Sequence, residues 1–176
     1  MMETLEELHS VFQSLLRMAS GVETVILADQ GRAPPKSLYV TYKPIPIRAY
    51  GQTRRKRAFV PAVEEFDSSL GNNWQDLQEI AYTSMEFMVS VNILNEGADS
   101  AIMRLHNANF QTPVSEFLYR NKIAWRYVSN CRNLTGILQA GFIPRWQADI
   151  HLFIEQTVSY SLLRAAGFKI EINDER

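Results

Sequence analysis

The chain has 176 residues, with 18 lysines and arginines against 19 aspartates and glutamates, a formal net charge of −1. That length suits one domain, residues 1–176, with a real hydrophobic core, and 46% hydrophobic with 21% charged residues excludes a disordered or fibrous chain. The near-neutral balance argues against a strong binder of nucleic acid or anionic membrane, which needs clustered positive charge. The single cysteine, Cys131, excludes an intramolecular disulfide and every multi-cysteine zinc pattern.

The start, Met1-Met2-Glu3-Thr4-Leu5-Glu6-Glu7, lacks the positive region and apolar run of a signal peptide. No apolar run approaches the ~18 residues that span a bilayer, so the reading is of a soluble cytoplasmic protein with no membrane partner. The first element is a helix over 5–19, because Leu5, Leu8, Phe12, Leu15, Leu16 and Ala19 recur with the helical period on one face. Thr4 and Glu7 form a capping box at its start, and Gly21 supplies a left-handed stop. Residues 22–28 are β-branched and short enough for a strand. Residues 29–37, with Gly31, Pro34 and Pro35, read as a loop. A second strand over 38–42 runs on through Pro44 and Pro46 toward Tyr50. Two prolines cannot donate ladder hydrogen bonds, which makes this stretch an edge strand or extended chain beyond one.

Residues 52–79 read as a long loop or insertion. They hold the basic cluster Arg54-Arg55-Lys56-Arg57, then Pro61, the acidic Glu64, Glu65 and Asp67, and Gly71-Asn72-Asn73. Residues 80–94 alternate, with Met85, Phe87, Val89, Val91 and Ile93 on one face and Glu86, Ser90 and Asn92 on the other, the mark of a half-buried antiparallel strand. A helix is predicted over 98–109, and a short one is capped by Thr112 with Pro113 at its first position. Strand 123–128, a turn or short helix over 130–141 closed by Gly141, and a long strand over 143–158 follow. In that strand Trp146, Ala148, Ile150, Leu152 and Ile154 face in, and Arg145, Gln147, Asp149, His151 and Glu155 face out. Phe168, Ile170 and Ile172 suggest a last short strand. Runs of strands beside few helices predict an α+β fold. It has one mainly antiparallel β-sheet, an N-terminal and a central helix packed on one face, and long hairpin or loop arms.

The chain carries no catalytic signature: no nucleophile elbow, no zinc-binding histidine pair, no phosphate-cradling glycine loop and no dinucleotide fingerprint. His9, His106 and His151 lie on three different elements and read as surface or half-buried side chains. Asp149 and His151, two apart on one strand face, are compatible with an acid–base pair or two metal ligands but read better as part of the outward polar row. Cys131 beside Arg132 is a conceivable low-pKa thiol, with no histidine placed near it by sequence. No catalytic residue, metal site or cofactor is therefore assigned. Arg54, Arg55, Lys56 and Arg57 are read against a solvated loop tip, contact with an acidic partner, or nucleic-acid contact. No aromatic residue interleaves the cluster, which weakens a stacking platform. Phe153 interrupts the polar row and, with Pro44, Pro46 and Tyr50 near an edge strand, suggests surface that another chain covers.

Three segments together carry a family resemblance. LYVTYKPIPIRAYG (Leu38–Gly51) resembles the extended proline-containing strand of phage neck or tail terminator proteins. EFMVSVNILNEGADSAIMRLHNA (Glu86–Ala108) is similar to that family's long strand, glycine turn and following helix. VSNCRNLTGILQAGFIPRWQADIHLFI (Val128–Ile154) resembles its next segment, ending in a long alternating strand. The order and gaps agree, over most of residues 1–172, and residues 52–79 depart by their length.

The resemblance implies a structural virion protein rather than an enzyme, without cofactor. It would form a ring, generally of six subunits, in the phage neck, capping the tail tube and joining the tail to the head connector around a channel for DNA. Implied partners are further copies of the chain, the tail tube protein, the head–tail connector or stopper protein and, as a further candidate, the tail sheath. DNA would pass without specific binding, and assembly would take place in the host cytoplasm. The alternatives are a head-completion or stopper protein of the neck, then a small enzyme or a nucleic-acid-binding module. The interface residues expected on this reading are Arg54, Arg55, Lys56, Arg57, Pro44, Pro46, Tyr50 and Phe153.

Overall fold

A computed structural model of the chain describes residues 5–31, 33–61, 75–138 and 141–162. The fold is α+β, an open and mostly antiparallel sheet with helices. Helix α1 spans Leu5–Ser20, β1 Val25–Leu27, β2 Tyr39–Pro61 and β3 Gln75–Leu94. Helix α2 (Ala98–His106), a 3-10 turn (Ala108–Phe110) and α3 (Thr112–Arg120) follow. The chain then forms β4 (Ile123–Val128), β5 (Arg132–Asn133), β6 (Gly136–Leu138), β7 (Gly141–Ile143) and β8 (Arg145–Leu162). The main sheet runs β1-β2-β3-β8-β4, with β5 also pairing β8, while β6 and β7 form a separate two-stranded sheet. The chain divides into two compact units, Met1–Gln52 with Thr83–Gln156, and Thr53–Tyr82 with Thr157–Arg176.

In the first unit, α1 forms as its periodicity requires. Leu8, Phe12, Leu15, Leu16 and Ala19 are all buried, and each large apolar side chain so buried contributes about 1.5–3 kcal/mol. The helix ends because Gly21 adopts φ +73° and its N–H reaches the Arg17 carbonyl at 2.9 Å. A side chain would make that left-handed turn costly. The inward faces of β3 (Phe87, Val89, Val91, Ile93) and β8 (Ala148, Ile150, Leu152, Ile154) join the same core as α1 and the buried sides of α2 and α3. Gly97, at φ +89°, makes the turn into α2.

β1 pairs β2 in parallel, only from Val25↔Val40 to Leu27↔Tyr42. Among the described residues, β2 beyond Tyr42 is the sheet edge, as the two prolines predict. Val40 N–H donates to Thr24 O and Tyr42 O accepts from Ala28 N–H, so these residues turn their backbone groups toward β1. Pro44 and Pro46 have no N–H to donate, which an edge strand tolerates without losing a ladder bond. Val40 and Tyr42 enter the core, whereas Arg48 and Tyr50 meet Glu86 and Phe153 on the outer face. The strand's alternation therefore changes phase between Tyr42 and Arg48.

Several expectations are corrected. Residues 52–61 and 75–79 are strand rather than loop, because side chains across the β2–β3 pair satisfy one another in a way that local propensity does not reveal. The described residues 130–138 and 141 are not a turn or helix closed by Gly141. They hold β5, β6 and the start of β7, pinned by Leu134 N–H to Arg145 O at 2.8 Å and by Asn133 Oδ1 accepting from Thr135 N–H. Thr112 is already helical rather than the cap; Gln111 holds that position without a side-chain cap bond, and Pro113 sits in the first turn as expected. Thr4 of the capping box and Phe168, Ile170 and Ile172 lie outside the described residues.

Candidate partner-binding site

The predicted interface residues fall into three groups. Pro44 and Pro46 lie on the β2 edge. Tyr50 and Phe153 come together on the outer sheet face of the first unit, ring centroids 4.2 Å apart, with the Arg126 guanidinium 4.6 Å over the Phe153 ring. Beside them a row crosses four strands. Arg48 Nε donates to Glu86 Oε2 at 2.9 Å, Glu86 Oε1 lies 3.4 Å from His151 Nδ1, and the His151 ring stacks on Tyr127 at 4.4 Å. The Arg48 hydrogen bond holds the Glu86 carboxyl below the usual range, against the opposing pull of burial. Farther along, Gln147 donates to Ser90 and Arg145 to Asn92. As positions on β3 rise, their partners on β8 fall, the antiparallel register that the alternation of both strands predicts.

The basic run lies in the second unit and is divided by strand geometry, since successive side chains leave opposite faces. Arg57 Nε donates to Glu79 Oε2 at 2.8 Å and Arg55 Nε lies 3.6 Å from Oε1. The Tyr160 hydroxyl also donates to Glu79. Glu79 is buried, its side chain 3% exposed, yet its carboxyl is held below the usual range by the Tyr160 bond first and the Arg57 bond second. The same contact pushes the Tyr160 phenol up. Arg54 and Lys56 stand over the Tyr82 ring, at 5.6 and 5.7 Å from its centroid. The absence of an aromatic residue inside the cluster is thus offset by Tyr82 from the neighbouring strand, which sequence reading could not pair with it.

The candidate chemical residues are placed as follows. His9, His106 and His151 stay on α1, α2 and β8. Asp149 and His151 share a face, but His151 pairs with Glu86, and Asp149 meets Ser129 through its backbone N–H. Among the described residues no group of three or more histidines, cysteines, aspartates or glutamates is arranged to hold a metal. Cys131, by contrast, does meet a histidine: its Sγ lies 3.9 Å from His106 Nδ1. The two line a groove of about 460 Å³ with Ile102, Met103 and Trp146. Burial pushes the Cys131 thiol up, the reverse of the lowering that Arg132 suggested, and an undissociated thiol is a poor nucleophile.

The arrangement is one of cross-strand pairs and aromatic contacts beside an edge strand. No curated protein matches the chain. The sequence profile of phage neck terminator protein matches residues 6–175. The chain belongs to that family. A phage neck terminator is a structural component of the virion neck, and its partners are other neck and tail proteins. No helix among the described residues is long and apolar enough to cross a membrane.

Proposed function

We propose that this neck terminator forms a closed ring, six copies around a channel that passes DNA, which caps the tail tube and joins it to the head connector. The family match across residues 6–175 carries this reading. The open edge of β2 supports it: from residue 43 to residue 52 no strand pairs the outer side among the described residues. Ring contacts are head-to-tail, so two different surfaces of each copy must meet. On this reading Pro44, Pro46, Tyr50 and Phe153 contact neighbouring chains, the basic run at 54–57 points away from the channel with Arg55 and Arg57 held by Glu79, and no step is catalytic. The net charge of −1 suits a conduit, since dense phosphate contacts would retard DNA.

Light scattering of the purified chain, with negative-stain images of the same sample, tests the ring. Six copies of a 20.2 kDa chain weigh about 121 kDa in a closed cyclic assembly, and an open centre is expected in projection. A monomer that stays monomeric when mixed with tail tubes, and leaves their ends uncapped, overturns the proposal.

A further inference from the structure

We propose that a groove in the first unit receives the acidic stretch Glu64-Glu65-Phe66-Asp67 of a second copy of this chain. Lys36 and Arg145 meet its carboxylates, and apolar walls take Phe66. The inference rests on the ring proposal, which sets copies side by side, and adds the chemistry of one contact.

The groove, of about 680 Å³, lies where β2 begins, β3 ends and β8 begins. Its walls include Pro34, Pro35, Leu94, Leu134 and Ile143, with room for an aromatic side chain. Asn95 ties both sides. Its Nδ2 donates to Ser37 O at 2.7 Å and to Pro35 O at 3.2 Å, and its backbone N–H donates to Pro144 O at 2.9 Å. A groove whose walls are already held loses little freedom on binding. Two cations line it. Lys36 is exposed and has no partner among the described residues. Arg145 donates through Nε and Nη2 to Asn92 Oδ1, at 3.2 and 2.9 Å, a neutral group that leaves the guanidinium charge uncompensated. Counted over every residue, the segments 30–42, 87–95 and 128–148 that supply the lining hold Arg32, Lys36, Arg132 and Arg145 and no aspartate or glutamate. Glu96, the next residue after the second segment, is exposed and lies outside the lining. Residues 62–74 are outside the described residues; their sequence holds Glu64, Glu65 and Asp67, with Val63 and Phe66 among them, and no lysine or arginine. Groove and stretch therefore complement each other in charge and in apolar character. They belong to different parts of the chain, as a head-to-tail contact requires. Two cations between apolar walls do not suit a nucleic acid, whose affinity comes from many cations along its phosphates.

The test uses the full chain carrying Glu64→Gln, Glu65→Gln and Asp67→Asn, so that its own stretch does not compete, and a fluorescently labelled peptide of residues 62–70, AVEEFDSSL. At physiological salt the peptide is expected to bind, and more tightly than a duplex DNA oligonucleotide. Adding Lys36→Glu to the chain should weaken the peptide at least about tenfold, because it sets like charges together, with an unchanged melting temperature. Leu134→Asp, at a wall side chain 42% exposed, should weaken it too, as should Phe66→Ala in the peptide. In the unmodified chain, light and isotope-labelled copies assembled together and treated with a carbodiimide should give amide cross-links from Lys36 to Glu64 or Glu65 that join a light copy to a heavy one. No binding of the peptide, an affinity unmoved by Lys36→Glu, tighter binding of the duplex, or an assembled sample without such mixed cross-links overturns the inference and leaves the ring proposal standing. Peptide binding with neither ring nor tube capping is a failure of the ring proposal alone.

Discussion

Replacing Phe12 by alanine should destabilise the first unit severely. Phe12 is 0% exposed on the inward face of α1, and its ring lies 6.3 Å from that of Phe87. Leu8, Leu15 and Leu16 belong to the same core. Removing a fully buried phenylalanine ring costs about 3–5 kcal/mol, part lost transfer energy and part the cavity left behind. The helix on one side and the sheet on the other limit how far that cavity can collapse. For a chain of this size each kcal/mol shifts the melting temperature by about 2–4 °C, so a fall of roughly 6–20 °C is expected. Guanidinium unfolding, followed by far-ultraviolet dichroism and by tryptophan fluorescence, measures the loss. Phe12→Leu keeps most of the volume and should cost less than half as much. A cycle with Phe87→Ala isolates the ring pair, with a coupling of about 0.5–1.5 kcal/mol. Met103→Ala, at a side chain 68% exposed, should stay within about 0.5 kcal/mol. A loss below about 1 kcal/mol for Phe12→Ala would refute the packing of α1 on the sheet, because no close-packed site gives up a phenyl ring so cheaply.

Gly21→Ala should cost about 1–2 kcal/mol through its left-handed backbone. The new Cβ would lie 2.6 Å from Arg104 Nη1, but that is the end of a flexible side chain, so the backbone term dominates; Gly21→Asn should recover part of the loss in thermal melts. Glu79 and Glu86 are both held below the ordinary value of 4.5. A carboxyl depressed in the folded state adds stability that is complete above its unfolded value and is lost as pH falls through the folded one. Acid unfolding of Glu79→Gln and Glu86→Gln, followed from pH 7 downward, should therefore show a shallower loss below pH 5 than the parent chain, and an unchanged slope would contradict the ion pairs. The Cys131 thiol should be alkylated by iodoacetamide with a pH midpoint above the ordinary thiol value of 9.0, because burial raises it. A midpoint below that value would mean the groove stabilises the thiolate instead.

Helix α1 and the inward rows of β3 and β8 were legible in the amino-acid order. Burial of one face imposes a periodicity of 3.6 or 2, and these elements are long enough to display several repeats. Pro44 likewise announced an edge, since a residue without an N–H belongs where no ladder bond is required. The family resemblance rested on the same extended segments. Tertiary structure alone decided what the basic run is. Its partner Glu79 lies 22 positions from Arg57 and Tyr160 lies 81 positions from Glu79, so the pairing that makes 52–61 a strand leaves no local trace. Strands β5, β6 and β7 have two or three residues each, too few for any alternation to register. Cys131 and His106 meet across 25 positions, and the direction of the thiol's pKa is hidden from the sequence, where adjacency to Arg132 is visible while burial is not. Periodic burial within an element is written along the chain; contacts between elements depend on which strands become neighbours, and only the folded sheet fixes that.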